Sequence, residues 1–118
     1  MKTIKGILID SELHRVSLVD IKINNDGCVE LSEIYKLLDC SYFTIGGGFE
    51  NGDDICIDDE GLLRHGPIHF FEIPGITPGP IAGNGLILGT DQKGNSVDCK
   101  TKFLEILDQI IFERGYRK

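Results

Sequence analysis

Three consecutive glycines, Gly46, Gly47 and Gly48, are the first residues whose pattern is compatible with ligand chemistry. Backbone amides without side chains can surround an anion, as they do in phosphate-binding loops. The phosphate-loop pattern continues with Gly-Lys-Ser/Thr at the start of a helix, and the residues around Gly48 do not follow it. The run therefore favours a wide hairpin turn or a bulge at the end of a strand, with anion binding as the alternative.

Acidic and histidine residues suggest two further sites. The segment Asp58–Glu60 is consecutively acidic, whereas calcium loops place their oxygen ligands at alternate positions. His65 and His69 are four residues apart, a spacing that puts two imidazoles on one side of a helix, where they can bind a metal ion. Pro67 lies between them and disfavours that helix. We therefore expect a solvated turn and surface or packing histidines, with no metal and no cofactor.

The sequence contains no residue arrangement that is typical of nucleophilic or redox catalysis. The four cysteines are Cys28, Cys40, Cys56 and Cys99, and no two of them have the spacing of a zinc clip or a redox dithiol. Cys56 lies within an alternating apolar segment, which predicts a small buried side chain. A Ser-His-Asp order with a nucleophile elbow is missing as well. The residues favour a binding protein over an enzyme.

The length and composition of the chain limit the kinds of partner that we expect for it. The chain has 118 residues, which predicts a single domain spanning residues 1–118. Its 12 basic and 19 acidic residues give a net charge of −7, which argues against direct binding to a nucleic-acid backbone. The residues after Met1 lead directly into a strand-like segment, and the apolar runs are too short to span a membrane. These features predict a cytoplasmic protein of a host cell without a membrane partner.

The chain then divides into short elements. Alternation predicts strands over residues 4–9 and 15–23, paired as a hairpin with a bulge near Val19 and Asp20. Helical spacing predicts a first helix over residues 29–38. Strands follow over 41–45 and 53–58, and a long irregular crossing over 62–80 contains all four prolines.

The last third of the chain contains the core strand and a second helix. Gly85 and Gly89 flank a short apolar run, which predicts a buried central strand over Leu86–Thr90. A helix over residues 100–113 follows, capped by Asp98 and ended by Arg114 and Gly115. Together these elements predict an α+β fold, with an antiparallel or mixed sheet of five to six short strands and two α-helices packed on one face.

Three segments resemble one family. They are Cys56–Leu63, Ile81–Asp91 and Gly94–Ser96, the last of which precedes the predicted C-terminal helix. This order of an acidic turn, a glycine-led strand and a charged hairpin is similar to that of the small phage and mobile-element proteins grouped as domain of unknown function 3846. The resemblance covers most of the chain. It implies an accessory protein of a virus or mobile element and implies no particular reaction.

The resemblance and the glycine-rich loops together suggest a counter-defence protein that sequesters a small nucleotide-type signal. The predicted ligand-binding residues are Gly46, Gly47, Gly48, Arg64, His65, Asn84 and Lys93. The alternatives are a protein that inhibits a host defence factor, through an acidic or aromatic surface over residues 50–59 and 69–71, and a structural or oligomerisation module. A homo-oligomer is compatible with these hypotheses, because small sequestering proteins often build a pocket between subunits.

Overall fold

The computed structural model describes residues 2–61 and 66–117, which form two β-sheets and two helices. The elements in chain order are β1 (Thr3–Asp10), β2 (Arg15–Lys22), α1 (Leu31–Leu38), β3 (Phe43–Gly48), β4 (Asp54–Asp58), β5 (Gly66–Glu72), β6 (Ile81–Ala82), β7 (Gly85–Thr90), β8 (Ser96–Val97), α2 (Phe103–Gln109) and β9 (Ile111–Arg117). Among the described residues, neither helix is long and apolar enough to cross a membrane.

The larger sheet has six antiparallel strands in the order β2-β1-β7-β4-β3, with β8 paired to β7. β7 is the middle strand and its first five residues are buried, which confirms its predicted central position. The predicted bulge in β2 is wrong, because β1 and β2 pair in continuous register. The alternation of apolar and polar residues is interrupted in β2 because both faces of the sheet are covered. Val16 packs on one face and Ile21 on the other.

Both faces of the larger sheet carry an apolar core. One core consists of Ile7, Ile9, Val16, Ile55, Phe71, Ile73, Ile81, Ile87 and Ile106, and the other of Ile4, Ile21, Val29, Ile34, Leu38, Cys56, Leu86 and Leu88. α2 contributes Ile106 to the first core, whereas α1 contributes Ile34 and Leu38 to the second. The α+β class and the antiparallel sheet are confirmed, but the packing of both helices on one face is wrong. Because consecutive side chains of β7 point to opposite faces, each face needs its own cover.

A second sheet has the strand order β6-β5-β9. Two of its strands lie where the sequence predicted an irregular crossing and the end of a helix. The irregular crossing contains β5, and the predicted second helix ends at Gln109, after which β9 pairs with β5 along seven residues. Arg114 and Gly115 are therefore strand residues and do not end a helix. The segment from Ile110 to Phe112 is β-branched and aromatic, and pairing with β5 outweighs its helical spacing.

Asp98 does not cap α2, which begins at Phe103 after Lys102. The Asp98 carboxylate instead accepts a hydrogen bond from the backbone N–H of Lys5, at 2.8 Å. Asp53 organises the segment before the helix, with 1% of its surface exposed. It accepts bonds of 2.7 Å from both the N–H and the hydroxyl of Thr101. The buried carboxylate thus fixes the β3–β4 loop to the start of α2.

Candidate functional site

A polar cleft lies at the N-terminal end of β7, next to Asn84. It encloses about 150 Å³. Its walls come from five places in the chain: the turn after β1, the end of α1, the end of β4, the beginning of β5 and the loop before β7. The lining residues are Ser11, Glu12, Leu38, Asp39, Asp58, Gly61, Pro67, Ile68, His69, Gly83 and Asn84.

Hydrogen bonds between distant segments hold this cleft in shape. Ser11 is fully buried, and its N–H donates to Oδ1 of Asn84 at 3.1 Å, while its hydroxyl donates to the carbonyl of Gly83. The N–H of Gly83 donates to the carbonyl of His69 at 2.9 Å. Gly83 has a φ of +90°, a left-handed conformation that glycine adopts without strain. These bonds join β1, β5 and β7 at one corner of the molecule.

Carboxylates dominate the chemistry of the cleft. Glu12, Asp39 and Asp58 line it, and His69 is the only basic side chain among the described lining residues. Asp58 is buried, and its Oδ1 accepts the N–H of Glu60 at 2.9 Å. Ionised carboxylate oxygens accept hydrogen bonds and donate none, so they match donor groups and not phosphate oxygens. The arrangement therefore suits amino groups, hydroxyl groups or cations. The described residues contain no group of three side chains that would hold a metal ion.

The glycine run lies within β3 and produces a register shift between Ile45 and Gly47, which confirms the predicted bulge. A Cβ on Gly46 would lie 2.6 Å from Cδ1 of Ile57, and one on Gly47 would lie 2.7 Å from the carbonyl oxygen of Ile76. Both glycines thus have a packing role. Gly48 lines a second depression, beside Phe49 and Ile76. Ligand binding by these three glycines stays a prediction.

The predicted residues Asn84 and Lys93 lie at opposite ends of β7. The six residues of this strand separate them by roughly 20 Å, at about 3.4 Å per residue. The N–H groups of Lys93 and Asn95 donate to Oδ1 of Asp91, at 2.8 and 2.9 Å. The hydrogen bond from Asn95 is the main reason that the pKa of Asp91 is lowered.

Asn84 is thus the one predicted ligand-binding residue that the described part of the structure places in the cleft. Arg64 and His65 lie outside the described residues.

Sequence reasoning missed Ser11, Asp39 and His69 as neighbours in the cleft. Asp39 has a φ of +53° at the end of α1, and its N–H satisfies the carbonyls of Lys36 and Tyr35. The position of Asp39 after the helix was predictable from the sequence, but its place in the same cleft as residues of β5 was not. The pairings of β1 with β7 and of β5 with β9 join segments that are distant in sequence, and no local pattern identifies them.

Cys56 is the described side chain with the most strongly raised pKa. Burial, followed by the nearby charges of Asp54 and Cys40, raises the pKa of its thiol to about 12. A thiol that stays protonated at neutral pH is a poor nucleophile. The prediction that Cys56 is a small buried side chain is confirmed, with 3% of its surface exposed.

Comparison with known proteins identifies one family. Residues 4–110 match the sequence model of the domain of unknown function DUF3846. No curated protein and no solved structure matches the chain. The match includes the five strands along the path of the larger sheet except for the first residue of β1, both helices and all the residues that line the cleft. The chain therefore belongs to the DUF3846 family.

Proposed function

We propose that this protein is an accessory protein of a phage or another mobile element, and that it sequesters a small nucleotide-type signal without altering it. The observation that supports the proposal is the convergence of Ser11, Asp58 and Asn84, from three different strand ends, on one polar cleft. The mobile-element setting rests on the resemblance of the acidic turn and the glycine-led strand to phage proteins.

The cleft favours the nucleoside part of such a ligand. Carboxylates at Glu12, Asp39 and Asp58 can accept hydrogen bonds from ribose hydroxyls and from the exocyclic amino groups of bases. Carboxylates recognise ribose hydroxyls in the same way in dinucleotide-binding folds. Phosphate groups would point away from these carboxylates, because ionised carboxylates donate no hydrogen bond to a phosphate oxygen. We therefore expect the base and the sugar to carry most of the affinity.

A thermal-shift screen tests the proposal. A ligand that binds only the folded chain raises its Tm, so we expect adenosine, guanosine or cytidine to raise it at least as much as the corresponding phosphates. Asp39→Asn should reduce this rise, since it removes one carboxylate while asparagine tolerates the positive φ. Asp26→Asn is the matched control, because Asp26 is exposed in the turn between β2 and α1.

Two results would contradict this proposal. One is that no nucleoside or nucleotide in the panel changes the Tm of the wild-type chain. The other is that Asp39→Asn and Asp26→Asn retain the same ligand-induced rise, which would place the ligand outside the cleft. A rise that instead disappears in Lys93→Ala would assign the ligand to the opposite end of β7.

The alternative is an inhibitor that binds a host defence protein. Within the acidic and aromatic surface predicted for it, Asp53 and Phe71 are buried, whereas Glu50 and Asp59 are exposed. Exposed apolar side chains also lie on α2, where Leu104 is 71% and Leu107 45% exposed. Under this alternative, Leu104→Glu should abolish binding of the host protein and leave any nucleoside-induced rise in Tm unchanged. Retention of host-protein binding by that variant would exclude the α2 surface.

A further inference from the structure

The two outer edges of the larger sheet differ in charge. Among residues 2–61 and 66–117, no strand pairs with the outer edge of β2 or of β3. β2 carries the charged residues Arg15, Asp20 and Lys22, which discourage the pairing of another strand. β3 carries none, and the sequence from residue 40 to residue 49 contains no charged residue. The edge at β3 thus lacks the protection that charges give the edge at β2.

The edge at β3 is also exposed and apolar. Tyr42 is 62% and Ile45 53% exposed. The carbonyl of Tyr42 accepts the N–H of Asp59, so the backbone of Tyr42 faces β4. Because residues of an antiparallel strand alternate between their two neighbours, the N–H and C=O groups of Phe43 and Ile45 face the outer edge. Such an edge is a template for another strand.

The sequence of β3 is complementary to itself. Its first half, Phe43–Ile45, has bulky side chains, and its second half, Gly46–Gly48, has none. When two copies of β3 pair in antiparallel fashion about a two-fold axis at the middle of the strand, each bulky half lies opposite a glycine half. An aromatic side chain that covers a glycine of a neighbouring strand stabilises the pairing of the two strands. Like charges cannot meet across this pairing, because the strand has no charge.

We propose that the outer edge of β3 pairs with β3 of a second copy of this chain, which joins the two larger sheets into one. The pairing satisfies the outward backbone groups of Phe43 and Ile45, and it removes apolar side chains from water. It does not depend on the ligand of the cleft. A contact made by one short strand is small, so the dimer forms reversibly and its population rises with protein concentration.

Light scattering coupled to size-exclusion chromatography tests this dimer. At high concentration we expect a mass twice the 13.1 kDa of the chain, and we expect this mass to fall by half on dilution. Ile45→Lys places a charge on the proposed contact and should give the monomer mass at every concentration. Leu18→Lys is the matched control, because Leu18 is 59% exposed on the opposite edge strand, and this variant should dimerise like the wild type.

The circular dichroism spectrum and the Tm at low concentration show whether Ile45→Lys is folded. If it is not, Thr44→Lys tests the same edge, because Thr44 is exposed. A wild-type chain that is monomeric at every concentration would overturn the proposal. A dimer that survives the folded β3 variant, or that Leu18→Lys dissociates, would also overturn it.

Discussion

Gly85 lies against the ring of Phe71. A Cβ at this position would lie 2.6 Å from Cζ of Phe71, whose side chain is fully buried between the two sheets. The ring has little room to move because protein cores are closely packed. We predict that Gly85→Ala lowers the free energy of unfolding by about 2 kcal/mol, as overpacked core substitutions do. Urea unfolding monitored by circular dichroism measures this change.

Gly79→Ala is the matched control for this substitution. A Cβ at Gly79 would have no heavy atom of the described residues within 4 Å, apart from its chain neighbours, and its φ is not positive. The control should leave the free energy of unfolding nearly unchanged. Equal losses in the two variants would show that the contact between Gly85 and Phe71 does not determine the effect.

Cys56 makes stability depend on pH in the alkaline range. The thiol of an unfolded chain has a pKa of about 8.5, whereas burial raises the pKa of Cys56 to about 12. Between these values the unfolded chain releases the proton and the folded chain retains it, so the free energy of unfolding falls as pH rises. We predict that Cys56→Ala makes this fall shallower, in urea unfolding measured below and above about pH 9.

The exposed residue Cys28 provides the comparison. Cys28→Ala should unfold with the same alkaline dependence as the wild type, because Cys28 is in contact with solvent in the folded chain as well as in the unfolded one. An unchanged alkaline slope in Cys56→Ala would exclude the buried thiol as its source.

At the scale of elements, β9 connects the smaller sheet to the turn between β1 and β2. The ring of Phe112 stacks on that of His14, with 4.8 Å between their centroids and an interplanar angle of 3°. Stacked aromatic pairs contribute about 0.5–1.5 kcal/mol beyond their buried area. We predict a coupling free energy of this size between His14→Ala and Phe112→Ala, measured by a double-mutant cycle of urea unfolding.

Leu13→Ala combined with Phe112→Ala is the control cycle. Leu13 lies next to His14 but is 59% exposed, so its effect should add to that of Phe112→Ala without coupling. Additive effects of His14→Ala and Phe112→Ala would mean that the stacked rings do not couple the turn to β9.

Elements with local signals were predictable, and β9 was not. Gly85 and Gly89 bound the central strand, and the spacing of Ile34 and Leu38 marks α1, so each follows from neighbouring residues. Ile110 and Ile111 continue the apolar spacing of α2, yet Ile111 begins a strand whose partner is β5. The pairing of β9 with the distant β5 outweighs the local helical pattern. A short window of sequence does not contain both strands, so it cannot reveal this pairing.

At the scale of the whole molecule, the sequence predicted the α+β class and the central position of β7, but not the division of the core between two faces. Asn84 was proposed from the glycine-rich loops, and its role in ligand binding stays a prediction. The neighbours Ser11 and His69 were not predicted, because they reach Asn84 and Gly83 only when β1 and β5 meet at the same corner. The cleft is thus a product of long-range pairing, whereas the family motifs are local.

The pairing of β5 with β9 also determines the order in which the chain can complete its fold during synthesis. Each of the hairpins β1–β2 and β3–β4 joins strands adjacent in sequence and can form as soon as its second strand has left the ribosome. β5 must wait until Ile111–Arg117 has been made, with Phe71 lacking its partner Phe112 in the meantime. A chaperone that recognises apolar strands would therefore bind the growing chain at β5.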